Sequence, residues 1–120
     1  MKKLTLFAMA AFASISAFAA DQFVYFGTYT AEGKSEGIYV STFDSETGKV
    51  GKSVLAAKME RPSFLAFHPS KKFLFAVSEV TEGSVSAFKI DSETGKLMLI
   101  NTLPTKGAHP CHVSTDTDGR

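Results

Sequence analysis

Glu79 and His112 are the two side chains in this sequence that best fit acid–base chemistry. They belong to the stretches "AVSE" and "HPCHVS". A carboxylate and an imidazole can share the roles of acid and base near neutral pH. Tyr29, Arg61 and His109 lie in comparable loop stretches and are candidates for binding a substrate. These five residues form one site only if the fold brings their loops together.

Each candidate also has an ordinary structural interpretation. Glu79 could be a solvated loop carboxylate, and His112 a hydrogen-bonded histidine of the core. Arg61 fits a surface cation more readily than an oxyanion clamp. Cys111, the single cysteine, is interpreted as a small buried apolar residue rather than a nucleophile. No second pair of ligands at finger-like spacing accompanies the 109–112 segment, so no metal or other cofactor is predicted.

The stretch "DSETGK" occurs twice, at 44–49 and at 91–96, an offset of 47 residues. Repeats spaced by roughly 40 to 50 residues are typical of β-propeller blades, among a few other architectures. Asp and Ser can bond their local backbone, and Gly48 or Gly95 can adopt the positive φ that a hairpin loop needs. The repeated stretch is therefore predicted to be a structural turn rather than a functional site.

Short runs rich in Phe, Val, Ile and Tyr fill the rest of the chain, separated by Gly, Pro, Asp or Ser. Such runs are typical of β-strands. Beyond the first residues, no window has sustained helical periodicity. The fold class predicted is all-β, with strands at 23–28, 37–43, 53–58, 63–67, 72–79, 84–90, 96–103 and 111–114.

The two series of strands align as units of four, here named A to D. One unit is complete, at about 63–103, and it is preceded by strands B, C and D and followed by one A-type strand at 111–114. A closed propeller protects the sheet edges that such a piece exposes. Residues 20–120 are therefore expected to be the N-terminal part of a propeller whose closure needs further C-terminal blades.

Strand direction divides the loops between two faces. The A–B turns and the "DSETGK" turns fall on one face, whereas the B–C and D–A loops fall on the other. Tyr29 and Glu79 belong to B–C loops, and Arg61, His109 and His112 belong to D–A loops. We therefore expect the five candidate residues to share the face opposite the repeated turn.

Residues 1–19 have the pattern of a signal peptide. Lys2 and Lys3 precede an apolar run, and Ala17 and Ala19 fit a small-x-small cleavage rule. The run is shorter than the ~20 residues of a membrane-spanning helix. Removing both lysines leaves 11 basic and 12 acidic residues, a balance that does not suggest a nucleic-acid partner. The mature protein is expected in the periplasm or outside the cell, with no membrane segment.

The combination of "GTYT", "PSFLAFHP", "AVSE" and "PCHVS" resembles the start of the lactonase family of seven-bladed β-propellers. That family includes bacterial 6-phosphogluconolactonases and the fungal carboxymuconate cyclase. The resemblance implies hydrolysis of a small-molecule lactone, with Glu79 and His112 matching recurrent polar residues of the family. Because a fold alone does not imply chemistry, the alternative is a noncatalytic exported propeller that binds a sugar, a peptide or an envelope partner.

Overall fold

The computed structural model describes residues 22–30 and 33–120. The predicted signal peptide lies outside the described residues. No helix in the described part combines the length and the apolar character needed to cross a membrane. Within the described residues the chain forms seven β-strands: β1 (Gln22–Phe26), β2 (Gly37–Phe43), β3 (Val54–Lys58), β4 (Leu65–Phe67), β5 (Phe73–Ser78), β6 (Ser84–Ile90) and β7 (Leu97–Pro104).

The strands form two antiparallel sheets. The first sheet has the order β1-β2-β3, and the second sheet has the order β4-β5-β6-β7. Each strand pairs with the next one along the chain, with Tyr25 opposite Val40 in the first sheet and Phe75 opposite Ala87 in the second. The predictions of an all-β fold and of a four-stranded antiparallel unit are confirmed.

The 111–114 segment differs from the prediction, because the structure has no strand there. A strand is defined by hydrogen bonds to a partner strand, and in the described part of the chain no strand pairs with this segment. Cys111 is exposed, which corrects its interpretation as a buried apolar residue. Its thiol donates a hydrogen bond to the carbonyl oxygen of His109 over 3.1 Å.

The two copies of "DSETGK" form the same turn. In each copy the glycine N–H donates to the carbonyl of the aspartate over 2.8 Å, and the aspartate Oδ1 accepts two backbone N–H groups. Gly48 and Gly95 have φ values of 72° and 71°, which glycine adopts without steric cost. Hydrogen bonds from Thr47 hold the pKa of Asp44 below its usual range, and backbone bonds from Thr94 and Glu93 do the same for Asp91.

The second copy of the turn also packs against the first sheet. The Tyr25 hydroxyl donates to the Gly95 carbonyl over 2.6 Å. Burial, helped by the charge of Asp91, raises the pKa of Tyr25 to about 12, so the phenol stays protonated and remains a donor. A β-carbon on Gly95 would lie 2.8 Å from a Phe23 ring carbon and 2.9 Å from a Val40 methyl. The turn is therefore part of the contact between the sheets.

The apolar core lies where the two sheets pack together. Residues of both sheets form one buried cluster: Ile38, Val40, Ala56, Leu74, Ala76, Phe88 and Leu97. Leu97, which directly follows the second turn, is only 8% exposed, whereas its counterpart Val50 after the first turn is 54% exposed. Full burial of such a side chain contributes about 1.5–3 kcal/mol. Equivalent positions of the two repeats thus differ in burial according to whether a neighbouring sheet covers them.

The two glycines offer a matched test of the contact between the sheets. Both Gly48→Ala and Gly95→Ala place a side chain at positive φ, at a cost of roughly 1–2 kcal/mol each. Only Gly95→Ala must also displace Phe23 and Val40, because no described atom lies within 4 Å of a β-carbon on Gly48. We expect Gly95→Ala to lower the free energy of unfolding by about 1–3 kcal/mol more than Gly48→Ala does. Urea denaturation of this chain, followed by circular dichroism, measures both, and equal losses would contradict the packing role.

Candidate functional site

The candidate site is formed by loops at the sheet edge opposite the two "DSETGK" turns. Tyr29 follows β1 and Glu79 follows β5, while Arg61 lies between β3 and β4 and His109 follows β7. Alternate strands of an antiparallel sheet end at the same edge, so these four loops meet where the two sheets adjoin.

A hydrogen bond between Tyr29 and Glu79 joins the two sheets at the site. The phenol Oη donates to Glu79 Oε2 over 2.9 Å, although the residues are 50 positions apart. The Arg61 guanidinium carbon lies 5.2 Å from the centroid of the Tyr29 ring, within the range of a cation–π interaction. The structure thus brings together three of the five candidates, with the aromatic ring of Tyr29 between a cation and a carboxylate.

The backbone of Arg61 fixes the relative positions of these groups. Its N–H donates to Thr30 Oγ1 over 3.0 Å, and its carbonyl accepts the N–H groups of Ser63 and Glu79 over 2.8 and 3.1 Å. The residue has a φ of 42°, which is uncommon for a side chain of this size. Strain of this kind costs of order 1–3 kcal/mol and is typical of functional sites.

Glu79 lies in surroundings that favour its charged form. The neighbouring Ser63 hydroxyl and the Tyr29 phenol, with the charges of Arg61 and His109, hold the pKa of Glu79 below its usual range. The Ser63 hydroxyl is buried and makes no hydrogen bond to any described residue. It therefore lowers the pKa of Glu79 by lying close to the carboxylate. Glu79 is therefore ionised at neutral pH and available as a proton acceptor.

His109 and His112 have different surroundings. The His109 N–H donates to the Val80 carbonyl over 2.8 Å, next to Glu79. The His112 ring packs on Phe64, with ring centroids 4.5 Å apart and an interplanar angle of 51°. The sequence favours His112 and Glu79 as the acid–base pair. Among the described residues, however, the structure shows no hydrogen bond or ion pair between these two side chains. The catalytic role of His112 stays a prediction.

Sequence reasoning did not identify Thr30 and Ser63 as members of the site. Both contribute through tertiary contacts, Thr30 by accepting the Arg61 N–H and Ser63 by lying beside Glu79. Small hydroxyl residues are common in loops, so their types alone carry no indication of function. Within the described ranges, no group of three or more His, Cys, Asp or Glu residues could hold a metal ion.

Comparison with known proteins places this chain in a family. Residues 23–120 match the family model described as Lactonase, 7-bladed beta-propeller. The chain is 38% identical over 93 residues to the 6-phosphogluconolactonase of Bacillus subtilis (strain 168), a match that covers 77% of this chain and 26% of that protein.

Solved structures give the same assignment. A putative 6-phosphogluconolactonase from Bacteroides fragilis superimposes with a TM-score of 0.76 and 38% identity, over 85% of this chain and 29% of that one. The periplasmic gluconolactonase of Pseudomonas aeruginosa gives a TM-score of 0.73 and 36% identity, over 80% and 28%. The sequence thus spans between a quarter and a third of the length of these relatives. The chain belongs to the Lactonase family of 7-bladed β-propellers.

Proposed function

We propose that the protein containing this chain hydrolyses a sugar lactone or a related lactone, with the loops described above as part of its active site. The observation that carries the proposal is the convergence of Tyr29, Arg61 and Glu79 from two sheets onto one point. The names of the relatives, 6-phosphogluconolactonase and periplasmic gluconolactonase, support a lactone as the substrate class.

The chemistry begins with attack of water on the carbonyl carbon of the lactone. The Glu79 carboxylate takes a proton from the water, and the Arg61 guanidinium stabilises the negative charge that develops on the carbonyl oxygen. The ring C–O bond then breaks, and the leaving oxygen takes a proton to become a hydroxyl. His112 is the proton donor that the sequence favours.

The substrate need not carry a phosphate. We expect the protein outside the cytoplasm from the signal-peptide pattern of residues 1–19, and one solved relative is a periplasmic gluconolactonase. Among the described residues at the site, the Arg61 guanidinium lies close enough to Glu79 to lower the pKa of that carboxyl, so its charge is partly balanced. We therefore propose an uncharged sugar lactone as the substrate. Parallel assays of glucono-δ-lactone and its 6-phosphate test this choice.

The alternative to a lactonase is a noncatalytic propeller. Binding of a sugar without turnover would favour that alternative.

Replacing Glu79 tests the base directly. In the complete protein, Glu79→Gln removes the proton acceptor, keeps the shape of the side chain, and should lower lactone turnover by ~10² or more. Glu82→Gln is the matched control, because Glu82 lies on the same loop and lines a separate crevice with Thr81 and Lys106. Ring opening is followed by titration of the acid released. Turnover like that of wild type in Glu79→Gln would remove this residue from the mechanism.

Replacing Tyr29 tests the ionisation of that base. Tyr29→Phe removes the phenol donor, so the pKa of Glu79 should rise toward its usual value. A base works only when deprotonated, and activity is lost as the pH falls through its pKa. The acidic limb of kcat/KM against pH should therefore move to higher pH, with little change above it. Tyr39→Phe, whose hydroxyl accepts the Glu36 N–H instead, is the control, and an unmoved limb in Tyr29→Phe would contradict the assignment.

A further inference from the structure

The loops before β4 and after β7 contain the same backbone feature. Arg61 precedes Pro62, and His109 precedes Pro110. Both residues have a left-handed backbone, with φ values of 42° and 52°, although a residue before proline is normally extended. The same unusual conformation at an offset of 48 residues indicates that the two loops are equivalent parts of successive repeats.

Equivalent neighbours hold these two residues. The Arg61 N–H donates to the Thr30 hydroxyl, and the His109 N–H donates to the Val80 carbonyl. Thr30 directly follows Tyr29, and Val80 directly follows Glu79. Each left-handed residue is therefore hydrogen bonded to the loop that leaves the second strand of the preceding repeat.

The side chains of the two repeats also correspond: Arg61 lies over the ring of Tyr29, and Arg61 and Tyr29 are the counterparts of His109 and Glu79. This equivalence predicts that the His109 side chain lies near Glu79. In agreement, a charged His109 is among the groups that lower the pKa of Glu79. His112, by contrast, is the counterpart of Phe64 and packs on that ring.

We propose that His109, rather than His112, is the imidazole that acts with Glu79 in the lactone hydrolysis proposed above, on which this inference rests. Glu79 accepts a proton from the attacking water. The protonated imidazole of His109 gives its proton to the ring oxygen as the C–O bond breaks, and the product hydroxyl forms. Transfer of the proton from Glu79 back to His109 through solvent restores both groups.

The neighbouring titratable groups define what the test must separate. Two charged or titratable groups act on the hydrogen-bonded pair of Tyr29 and Glu79: Arg61 helps to lower the pKa of Glu79, and Cys111 helps to raise the pKa of Tyr29. Two further groups, Glu82 and Lys106, line the separate crevice described above. Glu79→Gln removes only the carboxylate assigned to His109, and Glu82→Gln removes an equal charge on the same loop.

A histidine titration by NMR in the complete protein tests the pairing without any substrate. Loss of the carboxylate removes a negative charge beside the imidazolium, so the titration midpoint of His109 should fall in Glu79→Gln. Glu82→Gln should shift this midpoint less. An unchanged His109 midpoint, or a larger shift at His112, would overturn the proposal.

The pH dependence of lactone turnover tests the role in catalysis. A general acid works only when protonated, so activity declines as the pH rises through its pKa. His109→Gln should lower kcat/KM by ~10² and abolish this basic limb, while His68→Gln, on the face of the repeated turns, should keep it. The proposal would be refuted if His112→Gln lost the basic limb of the pH profile while His109→Gln kept it. If wild type opens no lactone, the proposed function fails, and the NMR titration still decides the pairing.

Discussion

Apolar packing between the two sheets is the constraint on which the rest of this structure depends. Ile38 and Val40 of the first sheet and Leu74 and Leu97 of the second belong to one buried cluster. Each sheet alone would leave these side chains on an open face, at a cost of about 25 cal/mol per Å² of apolar surface. The packing also fixes the angle and separation of the two sheets. Every polar contact between the sheets, at both ends of the strands, relies on that arrangement.

The polar site uses the rigidity that the core provides. Tyr29 and Glu79 are exposed or half-exposed residues of different sheets, and an isolated surface hydrogen bond of this kind is too weak to hold two loops together. The left-handed Arg61 connects them, since its backbone bonds to Thr30 in the loop after β1 and to Glu79 in the loop after β5. The strain at Arg61 is tolerated because packing of the sheets stabilises the fold. The result is a carboxylate kept ionised in a fixed position.

The structural features of this chain repeat, but the side chains that could carry out chemistry do not. The "DSETGK" turn, the sheet hydrogen bonding and the left-handed residue before proline recur in both repeats, whereas the side chains at the candidate site do not. Tyr29 in one repeat corresponds to Glu79 in the next, and Arg61 corresponds to His109. A fold built from similar units can therefore present a different functional group at each junction without altering its backbone.

The sequence by itself determined the seven strands that form, the turns and the face on which the candidate residues lie. Alternating apolar runs, Asp hydrogen bonding and glycine at positive φ are local properties, and local properties are readable from neighbouring residues. Only the tertiary structure decided that Tyr29 donates to Glu79, that Ser63 lies beside them, and that His112 packs on Phe64. It also left 111–114 without a strand, since a strand needs a partner that the described residues do not supply. These features depend on contacts between residues that are distant in the sequence, and such contacts follow from the packing of one sheet on another.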